Sequence, residues 1–226
     1  MTVPDPFQAE VARLALASAR DHGFALAGGH ALIAHGLVRR PTEDVDLFTD
    51  EEGGAPAAAE PVAAALSAAG FTVTDVTETG ELGDLFDGFD LDMVEFEVSR
   101  DGQTTRLQLA RFDRVSSPVV MDVGPVLSLD DVLGTKVAAL ATRAYPRDFV
   151  DISAALDRYS RDRLIEMGLR SDPALTDAEF AEAMDRLDRL DDTVFELYGL
   201  TARATAQLRA RFADWPRAES DIDRSR

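Results

Sequence analysis

The stretch from Gly28 to Phe48, GGHALIAHGLVRRPTEDVDLF, decides how this 226-residue chain folds. Its glycine pair follows a short apolar run, Phe24 to Ala27, and opens a segment of helical character. Strand, tight turn and short helix is the predicted order. Glycines at such a turn let backbone amides approach a phosphate, and a helix N-terminus favours anions. At the far end, Asp44 and Asp46 lie in a predicted short strand. A period of two places both carboxylates on one face, within reach of a common cation. Two oxygen ligands with no histidine beside them suit Mg²⁺ or Mn²⁺ and not zinc. Thr42 shares that face by the same period. This places its hydroxyl near a bound triphosphate and makes it a candidate for self-modification. A phosphate cradle beside a two-carboxylate metal site makes a nucleotide site. A second Asp-x-Asp, Asp90 and Asp92, lacks the glycine context.

Working outward, Phe7 to His22 reads as a helix stopped by Gly23. Glu51 to Pro56 reads as a loop, Pro61 to Ala69 as an alanine-rich helix, and Phe71 to Val76 as a strand. An acidic loop, Thr77 to Gly88, follows. Two alternating segments, Asp90 to Ser99 and Thr104 to Phe112, flank an Asp101-Gly102 turn and read as a hairpin. Val119 to Val123 is a further strand. Beyond it the texture is helical. Ser128 and Asp131 form a capping box for a helix to about Ala144. Pro146 fits the first turn of the next helix, Arg147 to Tyr159. More helices follow at Arg161 to Met167, Thr176 to Leu190 and Ala202 to Ala213. The expectation is an α+β protein: a mixed-sheet region over residues 1–125, then a helical region over 126–226.

The chain has no cysteine and a net charge of −19. Disulfides, thiol nucleophiles and cysteine zinc sites are thereby excluded. Broad affinity for nucleic acid is disfavoured, because phosphate binding needs basic surface. No run of apolar residues is long enough to span a membrane, and the N-terminus lacks the pattern of a secretory signal, so a cytoplasmic protein is expected. Between Pro41 and Ser99 there are sixteen acidic residues and no basic one. Among 23 basic residues one is lysine, Lys136. A lysine standing alone among arginines points to a place that a compact charge on a thin stem can fill and a planar fork cannot. His22, His30 and His35 are too scattered to make a metal triad.

The Gly28–Phe48 stretch resembles the opening motif of the nucleotidyltransferase superfamily, a glycine pair followed by Asp-x-Asp. It is most similar to the AbiEii/AbiGii-type toxin branch found in bacterial abortive-infection and toxin–antitoxin systems. Downstream, TKVAALATRAYPRDFVDI (residues 135–152) resembles the second signature of that branch. The residues support it. Lys136 and Arg143 are seven apart on one helix, and Asp148 and Asp151 are three apart on the next. The resemblance implies a nucleotidyltransferase-like sheet, an NTP substrate and Mg²⁺ or Mn²⁺ on Asp44 and Asp46. It further implies a triphosphate held by Gly28, Gly29, Lys136 and Arg143, and a catalytic part for Asp148. The implied partners are a tRNA or protein acceptor and a cognate antitoxin. Arg39, Arg40, Arg106, Arg111, Arg114, Arg143 and Arg147 are candidates for local contact with an RNA acceptor.

One departure stands out. Where the superfamily often carries a third metal carboxylate, the strand Arg106–Ala110 offers Gln108. Glu95 or Glu97 could substitute, or the third acid is dispensed with, or activity is weakened. The competing reading is therefore a catalytically weakened module that binds nucleotide or a basic partner. A haloacid-dehalogenase-like phosphatase with Asp44 as nucleophile fits less well. Its motif wants an apolar approach to the first Asp, where this chain has RRPTE.

Overall fold

The computed structural model describes residues 5–77 and 93–217. Asp90, Asp92 and most of the Thr77–Gly88 loop lie outside the described residues. Chain contacts divide the protein into two compact units, residues 1–132 and 133–226.

The first unit is built on a seven-stranded mixed sheet. Its strands are β1 (Ala25–Leu26), β2 (Asp44–Thr49), β3 (Thr72–Asp75), β4 (Met93–Arg100), β5 (Gln103–Arg111), β6 (Val119–Met121) and β7 (Gly124–Val126). They lie in the order β3-β4-β5-β2-β1-β7-β6. β2 runs parallel to β5 and antiparallel to β1. Along β2 burial alternates: Val45, Leu47 and Thr49 are buried, while Asp44, Asp46 and Phe48 are half-exposed. The same alternation buries Leu107 and Leu109 of β5 and Phe96 and Val98 of β4. Helices α1 (Pro6–Ser18) and α3 (Gly54–Ala68) pack together and against these strands. One face of the sheet is thus the core. The other carries Asp44, Asp46, Arg106, Gln108, Glu95 and Glu97, which period two keeps together.

Several sequence expectations shift here. The first helix stops at Ser18, and a short 3-10 turn, Arg20–His22, carries the chain to Gly23 at φ 62°. The helix expected from Pro61 begins at Gly54, so the expected Glu51–Pro56 loop is shorter and Pro61 lies inside the helix. The alanine run before Pro61 has the strongest intrinsic helix preference and outweighs the single N–H the proline lacks. The strand expected over Val119–Val123 is two short strands, β6 and β7, paired antiparallel through a turn. The hairpin between β4 and β5 turns at Asp101 (φ 53°) and Gly102 (φ 79°), pairing Arg100 with Gln103.

The second unit is helical. α4 (Leu129–Thr142) starts in the first unit and continues into it. Then come α5 (Pro146–Ala155), α6 (Arg161–Ser171), α7 (Asp177–Arg189) and α8 (Ala202–Arg211). A 3-10 segment not foreseen in the sequence, Asp192–Tyr198, precedes α8. Thr176 and Glu179 close the capping box on α7, with the Thr176 amide donating to Glu179 Oε2 at 2.8 Å. The core holds Phe149, Phe180, Phe195, Phe212 and Trp215, with Phe149 edge-on to Phe212.

α4 and α6 touch through glycines on both helices. A Cβ added at Gly134 would meet the Met167 carbonyl oxygen at 2.8 Å, and one at Gly168 would meet Val137 Cγ1 at 2.5 Å. Backbone cannot yield as a side-chain tip can. Gly134→Ala therefore destabilises the protein by about 1–3 kcal/mol, although alanine favours the helix itself. Urea unfolding of the variant beside wild type checks the sign.

Candidate functional site

In the first unit, β1 delivers the chain directly into the glycine turn. The Ala27 amide donates to the Asp46 carbonyl at 2.8 Å, which fixes the turn against β2. α2 (Gly28–Ala34) follows without a capping side chain. Gly28 takes φ 56°, open to glycine at little cost. A Cβ there would lie 1.7 Å from Asp46 Oδ2, and one on Gly29 would lie 2.6 Å from Thr42 Oγ1. The glycine pair, the second aspartate and the threonine hydroxyl therefore meet in one place. Thr42 lies two residues before β2, with its hydroxyl beside the turn.

Asp46 stands opposite Gln108 on β5, and Gln108 stands opposite Glu95 on β4. The row Asp46–Gln108–Glu95 crosses three strands on the polar face. Gln108 donates its amide to Met93 Sδ at 3.0 Å, and Glu95 is paired with Arg106 at 2.8 Å. Among the described residues no cluster of three acidic or histidine side chains is poised to hold a metal. The two aspartates of β2 offer a pair of oxygen donors on this face. Hard oxygen donors of this kind fit a magnesium-like ion that takes its remaining ligands from water and substrate phosphates.

Sequence reasoning missed how the approach to β2 is held. Gln8, a lone amide on the buried side of α1, donates to the carbonyls of Thr42 and Glu43 at 3.0 Å each. Thr105 Oγ1 donates to the Glu43 carbonyl at 2.8 Å. A polar residue among Phe7, Val11 and Ala12 was the available signal. Arg40, a candidate RNA contact, is instead buried and donates to the Pro41 carbonyl at 2.8 Å. His30 lies neither on the helix surface nor against solvent. It is 5% exposed, and among the described residues its Nε2 has no hydrogen-bond partner. Burial pushes its imidazole down to about 4, with Arg40 adding to the effect and Asp5 opposing it.

In the second unit the signature residues form two charge pairs between α4 and α5. Lys136 Nζ lies 3.3 Å from Asp151 Oδ2, with both side chains buried. Arg143 forks onto Asp148, Nε at 3.1 Å and Nη2 at 3.0 Å. The Tyr145 amide also donates to Asp148 Oδ2, at 3.1 Å. Asp148 is fully buried. Removing one partner of the buried Lys136–Asp151 pair leaves an uncompensated charge inside and costs about 3–5 kcal/mol.

A known sequence pattern runs along nearly the whole chain. The sequence model described as "Nucleotidyl transferase AbiEii toxin, Type IV TA system" matches residues 11–223. The chain belongs to the AbiEii family. It is a nucleotidyltransferase of the toxin class, and the type IV toxin–antitoxin system named for the family implies a cognate antitoxin.

The AbiEii fold recurs in solved structures. JHP933 from Helicobacter pylori superposes with a TM-score of 0.56 at 14% identity, covering 92% of this chain and 91% of that one. A putative nucleotidyltransferase from H. pylori gives 0.52 at 16% identity, covering 91% and 89%. The nucleotidyltransferase toxin MenT4 (Rv2826c) from Mycobacterium tuberculosis H37Rv gives 0.56 at 16%, covering 91% and 80%. At these identities the likeness speaks for the fold. No curated protein matches the sequence. Among the described residues no helix is long and apolar enough to cross a membrane.

Two outcomes follow from this geometry. Gly28→Ala forces the Asp46 carboxylate out of place, and nucleotide transfer falls by ~100-fold or more, read as label transfer at fixed enzyme concentration. His30 titrates near 6.5 when unfolded and about 4 when folded. Below pH 6.5 the unfolded chain therefore binds the proton first, and stability falls as the solution is acidified. Between pH 7 and 5 the stability advantage of wild type over His30→Gln shrinks by about 2 kcal/mol in urea unfolding.

Proposed function

We propose that this AbiEii protein transfers a nucleoside monophosphate from an NTP to an acceptor hydroxyl, on tRNA or on a protein, with Mg²⁺ or Mn²⁺ held by Asp44 and Asp46. The observation that carries the proposal is the packing of Gly28 onto Asp46, which brings the glycine turn and a carboxylate side by side. When bound, the ion neutralises phosphate charge and orients the triphosphate. The chain's own groups do the rest. Amides of the Gly28–Gly29 turn bind phosphate oxygens, and the Thr42 hydroxyl orders the same edge and is a candidate for self-modification. Lys136 and Arg143 belong to the second unit, where they pair with Asp151 and Asp148. The acceptor oxygen attacks the α-phosphorus in line, the α–β anhydride bond breaks, and pyrophosphate leaves with its electrons. The hydroxyl proton passes to a base or to water.

The buried fork between Arg143 and Asp148 favours a positioning part for Asp148. Both of its oxygens are engaged by the Arg143 guanidinium. Its use is to hold Arg143 in a fixed orientation. Gln108 beside Asp46 supports a second reading, a weakened enzyme that retains nucleotide binding. A neutral amide binds a hard cation less tightly than a carboxylate does.

One assay decides between them. The protein is incubated with each α-labelled NTP, total RNA and lysate protein, with Mg²⁺ or with EDTA. Label moves to one acceptor class in wild type with the metal present, and Asp46→Ala loses ~100-fold or more of that transfer. Transfer that survives the substitution or the chelator overturns the metal role. Binding of NTP without transfer establishes the weakened reading.

A further inference from the structure

Gln8 is the polar exception on the buried stripe of α1, whose other members are Phe7, Val11, Ala12, Ala15 and Leu16. A buried amide costs about 1–3 kcal/mol when it is left unbonded, so an amide in an apolar stripe asks for partners. Its Nε2 donates to the carbonyls of Thr42 and Glu43 at 3.0 Å each, and Thr105 Oγ1 lies at 3.3 Å. Two N–H groups thus meet three oxygens. A flipped amide would set oxygen against oxygen, so the orientation is fixed. The helix that carries Gln8 is itself held at its start. The Asp5 carboxylate accepts from the Phe7 amide at 2.8 Å, and Pro6 opens the first turn.

The two carbonyls stand just ahead of the sheet, since the ladder between β2 and β5 begins at Asp44 and Arg106. Here the chain is held by side chains, Gln8 from α1 and Thr105 from β5. The residues so held adjoin the site. The Thr42 hydroxyl comes within 2.6 Å of the place a Gly29 Cβ would take, and Asp44 directly follows Glu43. Asp46 is fixed separately, by the Ala27 amide on its own carbonyl. A tether on Thr42 and Glu43 from the core side therefore sets how the first carboxylate stands to the glycine turn. We propose that Gln8 is a positioning residue for nucleotide transfer. Through the carbonyls of Thr42 and Glu43 it holds the Asp44 carboxylate and the Thr42 hydroxyl in place beside the Gly28–Gly29 turn. Its part is exercised through the backbone and not by contact with substrate. The inference rests on the reading that Asp44 and Asp46 hold the ion, and deepens it.

Gln8→Met keeps the length of the side chain and removes both donors. Thr105→Val removes the other donor to Glu43 from a different strand. These variants, wild type and Asp46→Ala are compared in three ways. Mn²⁺ affinity without nucleotide is read from the loss of the free-ion electron paramagnetic resonance signal. Transfer is read from α-labelled NTP, and hydrogen exchange over residues 40–46 by mass spectrometry. Circular dichroism melts establish that each protein is folded at the assay temperature. Partners that orient a metal ligand are worth about 10- to 100-fold in metal affinity or activity, and Gln8→Met loses that much of both. Thr105→Val shows the same losses to a smaller degree. Unchanged Mn²⁺ affinity and transfer in folded Gln8→Met, with Asp46→Ala losing both, overturns the proposal and leaves the metal reading standing. Faster exchange over residues 40–46 with affinity and transfer as in wild type overturns it too, since Gln8 then serves the fold alone. Should Gln8→Met fail to hold its fold, Thr105→Val carries the decision, and wild-type values there overturn the proposal equally. If Asp46→Ala itself keeps Mn²⁺ affinity and transfer, the metal reading fails, and the Gln8 proposal with it.

Discussion

A missing side chain organises the first unit. At Gly28 the α-carbon rests on the Asp46 carboxylate so closely that no methyl group could stand between them. The contact is made possible by a left-handed turn, and the turn is possible because β1 ends there and hands its next amide to the Asp46 carbonyl. Backbone, carboxylate and the Thr42 hydroxyl are brought within contact distance by one local constraint. The rest of the sheet serves to hold the two ends of that contact still. Val45 and Leu47 anchor β2 in the core, and Gln8 and Thr105 grip the chain just before it.

The second unit solves a different problem. Its signature charges come in pairs, with Lys136, Asp148 and Asp151 buried and Arg143 reaching solvent. Lys136 with Asp151 and Arg143 with Asp148 tie α4 to α5 across the Tyr145-Pro146 break. A lone lysine in an arginine-rich chain makes sense in such a setting. The buried slot beside Asp151 takes one thin stem and one compact charge, whereas Arg143 needs a plane on which to fork.

What was legible in the sequence was local and periodic. Asp44 and Asp46 share a face because strands alternate, and the glycine pair marks a turn because few other residues tolerate it. The Asp101-Gly102 hairpin and the Thr176–Glu179 capping box were readable for the same reason. What was not legible depended on which competing local preference wins or on distant partners. Pro61 reads as a helix start until the alanines before it are weighed. The charge pairs of α4 and α5 join residues fifteen and five positions apart, and periodicity along a single helix cannot show them. The burial of His30 and Arg40 and the grip of Gln8 on Thr42 and Glu43 arise only when α1, α2 and β2 are packed together. The Lys136 and Arg143 spacing placed both on one face, but the face turned out to meet α5.

The tight turn at Asp101-Gly102 has a consequence well away from itself. By pairing Arg100 with Gln103 it acts as a gauge for the whole hairpin, and five positions along the ladder it sets Glu95 opposite Gln108. Lengthening or shortening that loop by a single residue would slide β4 past β5 and bring Val94 or Phe96 up beside Gln108 in place of an acid. Change in the chemistry next to Asp46 is therefore open to insertions and deletions at a solvent-facing bend, with no codon at the centre itself altered. Diversification within a fold of this kind can proceed from its rim.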